Sequence, residues 1–275
     1  MFRWHGLLGI ILLILVQLNF IFKIQPFANW YFPLIWLGYI LVIDALVFKM
    51  RKSSLITTRL KVFIGMVLIS ALFWWLFEFT NISVQNWSYK GLEGLSTKKN
   101  LFGFLSFATV LPAFFETVEL FRSVHLFDKE RLYRRFKITK KFLHVTMALG
   151  VMCFILPAII PQFTFPLIWL SFFLLLDPIN YIHKQPSIIG HLKDRKLVVP
   201  LSLLAAGITL GFLWEFWNYW AIPKWTYNVP YLGFFKVFEM PILGYLGYFP
   251  FAFELYAMYW FTRTLFVHKE RLLEE

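Results

Sequence analysis

The chain has 275 residues, of which 59% are hydrophobic and 15% are charged. A soluble domain usually has about 25% charged residues, because most of its surface faces water. A soluble domain of this length could not bury so many apolar side chains, which include 34 Phe, 12 Trp and 12 Tyr. The composition therefore excludes a disordered protein, a coiled coil and almost every soluble enzyme of this size. It predicts a multi-span membrane protein.

Eight mainly apolar stretches are long enough to cross the hydrocarbon core of a bilayer, which takes about 20 residues. We therefore expect an all-α integral membrane protein. The single cysteine, Cys153, lies inside the fifth stretch, so the sequence has neither a disulfide framework nor a thiolate metal site. The predicted spans are 6–22, 30–48, 62–79, 101–121, 142–160, 163–182, 197–219 and 241–261.

The distribution of the 27 Lys and Arg residues predicts the orientation of these spans. One side of the membrane holds 21 of them, counted over alternate loops and both ends of the chain. Basic residues in short loops collect on the cytoplasmic side. We therefore expect both termini in the cytoplasm and a multi-pass protein of the inner (plasma) membrane. The net charge of +12 indicates contact with anionic lipid headgroups rather than nucleic acid, because the basic residues lie in short connectors.

Several sequence patterns occur twice in the chain. Residues 32–37 recur as residues 165–170, and Asp44 matches Asp177 at the same offset. A fixed spacing between similar segments indicates an internal duplication. The further matched pairs are Glu78-Phe79-x-Asn81 with Glu215-Phe216-x-Asn218, Trp87-x-Tyr89 with Trp225-x-Tyr227, and Pro112-x-x-x-Glu116 with Pro250-x-x-x-Glu254.

The duplication predicts the domain organisation. We expect one four-helix membrane repeat at 1–125 and a second at 138–268, with a basic cytoplasmic linker at 126–137 and a charged tail at 269–275. Because each half has an even number of spans, the two halves run the same way through the membrane, as tandem parallel repeats. Such repeats are related by an axis along the membrane normal, with a shared site between them or one site in each half.

Eight of the fifteen acidic residues fall within the predicted spans or at their ends. A carboxyl group in a membrane is costly and usually faces the protein interior. Structural roles compete with functional ones. Asp44 and Asp177 are placed either to cap neighbouring helix N-termini or to pair with loop Lys and Arg residues, and Glu119 lies three residues from Arg122, a spacing typical of an ion pair.

Glu116 and Glu254 each follow a proline by four residues. A protonated side chain there could satisfy the backbone carbonyl that proline leaves free, and a functional role is equally compatible with the spacing.

Glu215 and Asn218 are the best functional candidates, because they share one helical face and recur as Glu78 and Asn81. Burial among aromatic rings favours a neutral carboxylic acid, which can donate a proton, and the ring faces can stabilise a carbocation. An interfacial belt would also collect Trp and Tyr, but it does not explain the repeated Glu and Asn. The aromatic residues around Glu215 in the sequence are Trp214, Trp217, Tyr219 and Trp220.

The second half carries a longer pattern. It consists of Trp214-Glu215 near a helix end, Trp225-x-Tyr227-Asn228 and Tyr231-x-Gly233 in a loop, Glu239-Met240-Pro241 at a helix entry, and Phe249-Pro250 in mid-helix. This pattern resembles the membrane-embedded lycopene cyclase domain of the bacterial heterodimeric and the fungal or archaeal fused types. The resemblance covers about residues 200–260 and reaches the first half only through the internal repeat. It implies a duplicated, all-helical membrane protein without a flavin-binding domain.

The resemblance implies cofactor-independent, proton-initiated cyclisation of a carotenoid or another isoprenoid. Glu215 takes the place of the family's Asp after Trp, and Asn228 that of its loop Asn. The family's paired glutamates fall on Pro241 and Ile242, neither of which can titrate, and Glu239 is the nearest replacement. The catalytic candidates are Glu215, Glu239, Glu254, Glu78 and Glu116. The substrate-binding candidates are Trp214, Trp217, Asn218, Trp225, Asn228 and Tyr245.

A second function suits the same residues: a non-catalytic binder, or proton-coupled carrier, of a lipid or small metabolite. Parallel repeats and acids at several depths are typical of a relay. The enzyme predicts an apolar cavity open to lipid, whereas the carrier predicts a path open to water on both sides. Both involve a hydrophobic substrate, neither needs a metal or cofactor, and association with a second chain stays open. A structural scaffold explains the intramembrane acids poorly.

Overall fold

The computed structural model describes residues 2–134, 136–231 and 233–266, and most of them are helical. The predicted charged tail at 269–275 lies outside the described residues. Within them, the α-helices are α1 (Trp4–Phe22), α2 (Tyr31–Arg51), α3 (Leu55–Thr58), α4 (Leu60–Val84), α5 (Lys99–Ala108), α6 (Val110–Ser123), α7 (Lys140–Ile159), α8 (Pro161–Thr164), α9 (Ile168–Ile182), α10 (Ile188–Lys193), α11 (Val198–Trp220) and α12 (Tyr248–Phe266). The strands are β1 (Trp87–Lys90), β2 (Lys224–Tyr227), β3 (Lys236–Val237) and β4 (Met240–Pro241), and 3₁₀ turns cover Leu92–Lys98, Phe165–Leu167 and Ile242–Gly247.

Seven helical segments of the described chain are long and apolar enough to cross a membrane. They match the first seven predicted spans to within a few residues, and the all-α membrane class is confirmed. The segments are Trp4–Phe22, Tyr31–Arg51, Leu60–Val84, Lys99–Ser123, Lys140–Ile159, Pro161–Ile182 and Val198–Trp220.

The eighth predicted span, at 241–261, differs from the others. Its first residues form the 3₁₀ turn Ile242–Gly247, and α12 begins only at Tyr248. Pro250 therefore lies in the first turn of α12 rather than in mid-helix, where its missing N–H removes no helical hydrogen bond. α12 also carries Glu254 and Arg263, which lower its mean hydropathy.

The chain forms two compact units, which cut across the predicted halves. The first unit contains Met1–Leu126 and Ala205–Leu246, and the second contains Phe127–Leu204 and Gly247–Glu275. The backbone contacts thus group the chain at boundaries other than those of the repeats, and the four-helix repeats stay a prediction from the sequence pattern.

In the first unit, α2 packs against α1 and α6. The approach of α1 to α2 requires a glycine, because a Cβ atom on Gly9 would lie 2.8 Å from the carbonyl oxygen of Gly38. Large apolar side chains of α1, such as Leu7 and Ile14, are exposed on its other face, as expected for a helix in lipid.

The break between α5 and α6 is stabilised by Ser70 of α4. Its hydroxyl donates to the carbonyl of Phe107 at 2.5 Å and accepts from the amide of Leu111 at 3.0 Å. Ser70 thus bridges the two backbone groups at this break, and the carboxyl oxygens of Glu116 have no hydrogen-bond partner among the described residues. The expected role of Glu116 beside its proline is not what the structure shows.

In the second unit, α9 packs against α7 and α12. Gly150 of α7 lies against the backbone of α9, where a Cβ atom would meet the amide nitrogen of Leu175 at 2.5 Å. Glu254 of α12 accepts from the amide of Phe172 at 2.8 Å and from the hydroxyl of Ser171 at 3.4 Å. The Glu254 carboxyl group therefore links α12 to α9 through hydrogen bonds.

The capping role predicted for Asp44 and Asp177 is confirmed. Asp44 accepts from the amide of Ile56 at 2.7 Å, at the start of α3. Asp177 accepts from the amides of Ile188 and Ile189 at 2.7 and 2.9 Å, at the start of α10. Each carboxylate satisfies amides that a helix start leaves without partners.

Candidate functional site

Two short strands in the first unit bring the two Trp-x-Tyr segments together. β1 and β2 pair antiparallel, with Trp87 opposite Tyr227 and Tyr89 opposite Trp225. A two-fold axis through the Ser88–Thr226 pair therefore exchanges the two copies of the segment. The apolar periodicity of the helices gave no sign of this pairing.

Each strand is held by the repeated asparagine of its own copy. Asn218 of α11 donates to the carbonyl of Trp225 and accepts from its amide, both at 2.9 Å. Asn81 of α4 donates to the carbonyl of Trp87 at 2.9 Å and accepts from the amide of Asn86 at 2.9 Å. The asparagines thus fix Trp-x-Tyr segments beside the glutamates that lie one helical turn earlier.

Glu78 is surrounded by aromatic hydrogen-bond donors. Its Oε1 atom accepts from the indoles of Trp74 and Trp87, both at 3.0 Å, and from the hydroxyl of Tyr89. Burial raises the pKa of Tyr89 well above its usual value, and the negative charge of Glu78 raises it further. The three donors, from α4 and β1, hold the partly buried carboxyl group in one orientation.

Glu215 is completely buried. Its Oε1 atom accepts from the hydroxyl of Tyr227 at 2.6 Å, and that hydroxyl accepts from the indole of Trp225 at 2.7 Å. Burial, with a contribution from the charge of Glu215, raises the pKa of the Tyr245 hydroxyl, so this predicted binding residue also lies near the carboxyl group. Two successive hydrogen bonds therefore lead from the indole of Trp225 through the Tyr227 hydroxyl to the Glu215 carboxyl group.

A cluster of aromatic rings lies next to Glu215 along α11. Trp36 of α2 is fully buried, and its ring centroid lies 5.5 Å from that of Trp214 and 4.7 Å from that of Trp217. Tyr39 contacts Trp217 at 5.9 Å. We call Trp36, Tyr39, Trp214 and Trp217 the aromatic cluster. Rings packed in this way form a rigid apolar cluster, and their faces carry negative π electron density.

The other predicted site residues lie elsewhere. Glu239 forms an ion pair with Lys224 at 2.6 Å, in the loop region of the first unit. Asn228 is exposed, and its amide donates to the carbonyl of Asn86 at 2.7 Å. Glu116 lies in a separate acidic group of the first unit, and Glu254 lies in the second unit. The structure therefore brings together Glu215, Asn218, Trp225 and Tyr245. Glu239 is engaged by Lys224, and Asn228 lies exposed directly after β2.

Sequence reasoning missed the residues that orient the two glutamates. Tyr227, Tyr89, Trp87 and Trp74 donate to Glu215 or Glu78, and Trp36 is central to the aromatic cluster. The repeated Trp-x-Tyr segment was the available signal, because tyrosine and tryptophan carry a polar atom that needs a partner when buried.

In the described part of the chain, no three His, Cys, Asp or Glu side chains are grouped to hold a metal ion. No family model, curated protein or solved structure matches this chain.

Proposed function

We propose that this protein is a lycopene-cyclase-like membrane enzyme that closes rings on an acyclic carotenoid or related isoprenoid by proton transfer, without a cofactor. The observation that carries the proposal is the setting of Glu215. The carboxyl group is completely buried, is oriented by Tyr227, and directly follows Trp214 of the aromatic cluster along α11. A proton donor beside a wall of π electrons is what the chemistry of a carbocation requires.

The reaction begins with the acid form of Glu215. Its proton forms a C–H bond at the terminal alkene, leaving a tertiary cation and a Glu215 carboxylate, which the Tyr227 hydroxyl stabilises. The next alkene attacks the cation and closes a six-membered ring. A neighbouring carbon then loses a proton to a base, and the product is an isomer of the substrate. We assign the base to the Oε2 atom of Glu78, since its Oε1 atom takes the three aromatic donors.

The aromatic cluster protects the intermediate. The faces of Trp36, Trp214 and Trp217 stabilise positive charge, and their burial excludes water that would trap the cation as an alcohol. Tyr245, close to Glu215, completes the lining of the site.

Glu215 rather than Glu239 is assigned as the donor. The family's paired glutamates correspond to Pro241 and Ile242, and the neighbouring Glu239 is engaged by Lys224 at 2.6 Å. An ion-paired loop carboxylate is a structural element of the loop, whereas Glu215 is buried beside the aromatic rings. In this proposal, the reaction therefore uses Glu215 and Glu78, the glutamates that recur in the two copies of the sequence pattern, and not a glutamate at the start of the last helix.

The proposal includes the membrane arrangement. α12 is the eighth span, the spans form two tandem parallel four-helix repeats, and both termini lie on the cytoplasmic side of the plasma membrane. The two-fold axis of the strand pair exchanges Trp87 with Trp225 and Tyr89 with Tyr227, and this correspondence supports the duplication. Glu78 and Glu215 then lie towards the outer ends of their helices, within reach of a hydrophobic substrate entering from the lipid.

The test is pigment analysis of a lycopene-accumulating bacterial host. Wild-type protein, Glu215→Gln and Glu93→Gln are expressed to equal levels in the membrane fraction. Glu93→Gln is the control, because Glu93 is an exposed carboxyl group in the 3₁₀ turn Leu92–Lys98. Wild type and Glu93→Gln should convert lycopene into a ringed carotene of the same mass, and Glu215→Gln should not.

The proposal fails if lycopene and its less desaturated acyclic precursors are all left unchanged by wild-type protein present in the membrane. It also fails in its assignment of the donor if Glu215→Gln forms rings as fast as the wild type.

A further inference from the structure

Two loops of the second unit pair with each other through their backbones, at residues 130–132 and 195–197. Two amide-to-carbonyl hydrogen bonds, of 3.1 and 3.3 Å, join the loops on either side of Arg131 and Lys196. These two residues form an antiparallel bridge. We call the paired residues 130–132 and 195–197 the basic bridge. The segment predicted as a linker is thus part of a folded surface.

The basic bridge is held in register by further hydrogen bonds. The Nε atom of Arg195 donates to the carbonyl of Leu132 at 2.7 Å. The amide of Lys196 donates to the carbonyl of His191 in α10 at 2.9 Å. The ring of His191 in turn lies 3.0 Å from the hydroxyl of Tyr256 in α12. The basic bridge is therefore a fixed part of the second unit.

The basic bridge places two positive charges side by side. Its hydrogen bonds join the residues that flank Arg131 and Lys196, so these two face each other as a non-hydrogen-bonded pair. In such a pair the Cα atoms are about 4.5 Å apart and the side chains approach most closely. Like charges directly opposite each other destabilise a strand pair. Both residues are exposed, and neither forms an ion pair within residues 2–134, 136–231 and 233–266, so an anion between them would remove this cost.

The two loops adjoin the ends of three apolar helical segments. α7 begins at Lys140, α9 ends at Ile182 and α11 begins at Val198, and each belongs to a segment long enough to cross a bilayer. The first loop also presents two aromatic side chains, since Tyr133 is 91% exposed and Phe136 is 56% exposed. Exposed aromatic and basic residues next to a membrane span are typical of a segment that lies among lipid headgroups.

We propose that the basic bridge binds the phosphate group of an anionic phospholipid in the adjoining leaflet, between Arg131 and Lys196. A guanidinium group binds phosphate through paired N–H donors, and an ammonium group adds a point charge. Residues 128–141 and 184–196 contain eleven basic residues against three acidic ones, so a headgroup with a cation of its own is disfavoured. The exposed aromatic residues lie beside the bound headgroup. The site uses none of the carboxyl groups assigned to cyclisation.

A lipid titration of the full chain in neutral detergent tests the site, with the bound lipids counted by native mass spectrometry. Wild type should bind phosphatidylglycerol in preference to phosphatidylcholine. The double variant Arg131→Gln/Lys196→Gln should bind phosphatidylglycerol at least about 10-fold more weakly, because each residue donates charge-assisted hydrogen bonds to the phosphate.

The matched control is Lys137→Gln/Lys184→Gln. It removes the same charge from the same two loops, at exposed positions outside the basic bridge. Its affinity for phosphatidylglycerol should fall by no more than about 3-fold, since exposed charges that do not contact the lipid are screened by salt.

Thermal unfolding in nanodiscs gives a second readout, in which the sign of the effect reverses. In phosphatidylcholine alone, Arg131→Gln/Lys196→Gln should melt at or above the wild-type temperature, because two like charges are removed. In phosphatidylglycerol the wild type should melt higher, because a ligand bound to the folded state stabilises it. A double variant that melts lower in both lipids would show that the pair serves the fold alone, and would overturn the proposal.

Four results of the titration would also overturn the proposal. The first is a wild type without preference for phosphatidylglycerol. The second is equal weakening in the two double variants, which would indicate a diffuse attraction without a site. The third is displacement of the lipid by an equal concentration of glycerol 3-phosphate, which would identify a soluble phosphate compound as the ligand. The fourth is displacement by a single-stranded oligonucleotide, which would make this surface a nucleic-acid site.

Discussion

Glu78 and Glu215 occupy equivalent positions in the sequence repeat, but their surroundings differ. Each lies three residues before an asparagine that holds a Trp-x-Tyr strand, and each accepts a hydrogen bond from the tyrosine of that strand. Glu78 is partly buried and takes two indole donors as well, whereas Glu215 is completely buried beside the aromatic cluster. The two copies of the sequence pattern thus share the hydrogen bonds that orient the carboxyl groups and differ in the side chains around those groups.

We expect the two carboxyl groups to have different roles in proton transfer. A carboxyl group next to packed aromatic rings is placed to protonate an apolar substrate, and one held by several donors is placed to receive a proton in a fixed direction. Substitutions at equivalent positions of the two copies should therefore have unequal effects.

The largest difference is expected between Glu215→Gln and Glu78→Gln. Loss of the proton donor should lower the rate of cyclisation by about 10²-fold or more, the usual contribution of a positioned acid. Loss of Glu78 should lower it by only about 10-fold and change the ratio of ring isomers, because a carbocation can give up its proton to other bases. Chromatography of the products at equal protein levels measures both effects. Equal losses in the two variants would show that the sites are interchangeable.

The two asparagines should contribute unequally to stability. Asn218→Ala removes a completely buried side chain and leaves the amide and carbonyl of Trp225 without that partner, at a cost of about 1–3 kcal/mol for each unmet group. Asn81 is partly exposed, so water can replace its side chain and Asn81→Ala should cost only about 1 kcal/mol. Thermal unfolding in detergent, followed by tryptophan fluorescence, compares them. A larger loss for Asn81→Ala would contradict the comparison.

The Tyr89 hydroxyl should make stability depend on alkaline pH. Its pKa in the folded protein is raised above the usual 10.0, first by burial and then by the charge of Glu78. Its contribution is complete below pH 10 and is lost as the pH rises further, because the unfolded chain then releases the proton first. The slope approaches about 1.4 kcal/mol per pH unit. Melting temperatures of wild type and Tyr89→Phe across this range should diverge. Parallel curves would exclude the effect.

The smallest effect is expected at the Lys224–Glu239 ion pair. Because this pair is partly exposed, Glu239→Gln should change the free energy of unfolding by no more than about 1 kcal/mol. Cyclisation should continue at nearly the wild-type rate, which distinguishes Glu239 from Glu215. If Glu239→Gln abolished ring formation, the proton donor would have to be reassigned to the loop.

The helices that cross the membrane were predictable because lipid requires long apolar runs and satisfied backbones. The start of α12 was not predictable, since the apolar run at 241–261 does not reveal that Ile242–Gly247 forms a 3₁₀ turn and that Pro250 lies in the first turn of a helix. Hydropathy indicates which residues avoid water, but it does not determine whether a short apolar segment forms an α-helix or a 3₁₀ turn.

The candidate site was predictable in part, because intramembrane carboxyl groups are few and costly. Glu215 and Asn218 were found in this way. The partners were not: Arg59 for Glu119, Tyr227 for Glu215 and Lys224 for Glu239 are set by packing between distant segments. The strands β1 and β2 have four residues each and lie more than one hundred residues apart in the sequence. No local sequence pattern therefore predicts that they pair.

The most direct measurement of the central claim is isotope incorporation from D₂O. Membranes containing wild-type protein are supplied with lycopene in D₂O, without nicotinamide or flavin, and the ringed product is examined by mass spectrometry. Because the donated deuteron stays on the protonated carbon while a proton leaves a different carbon, the account predicts one deuterium per ring and no rings with Glu215→Gln. Rings without deuterium, or deuterated rings formed equally well by Glu215→Gln, would contradict it.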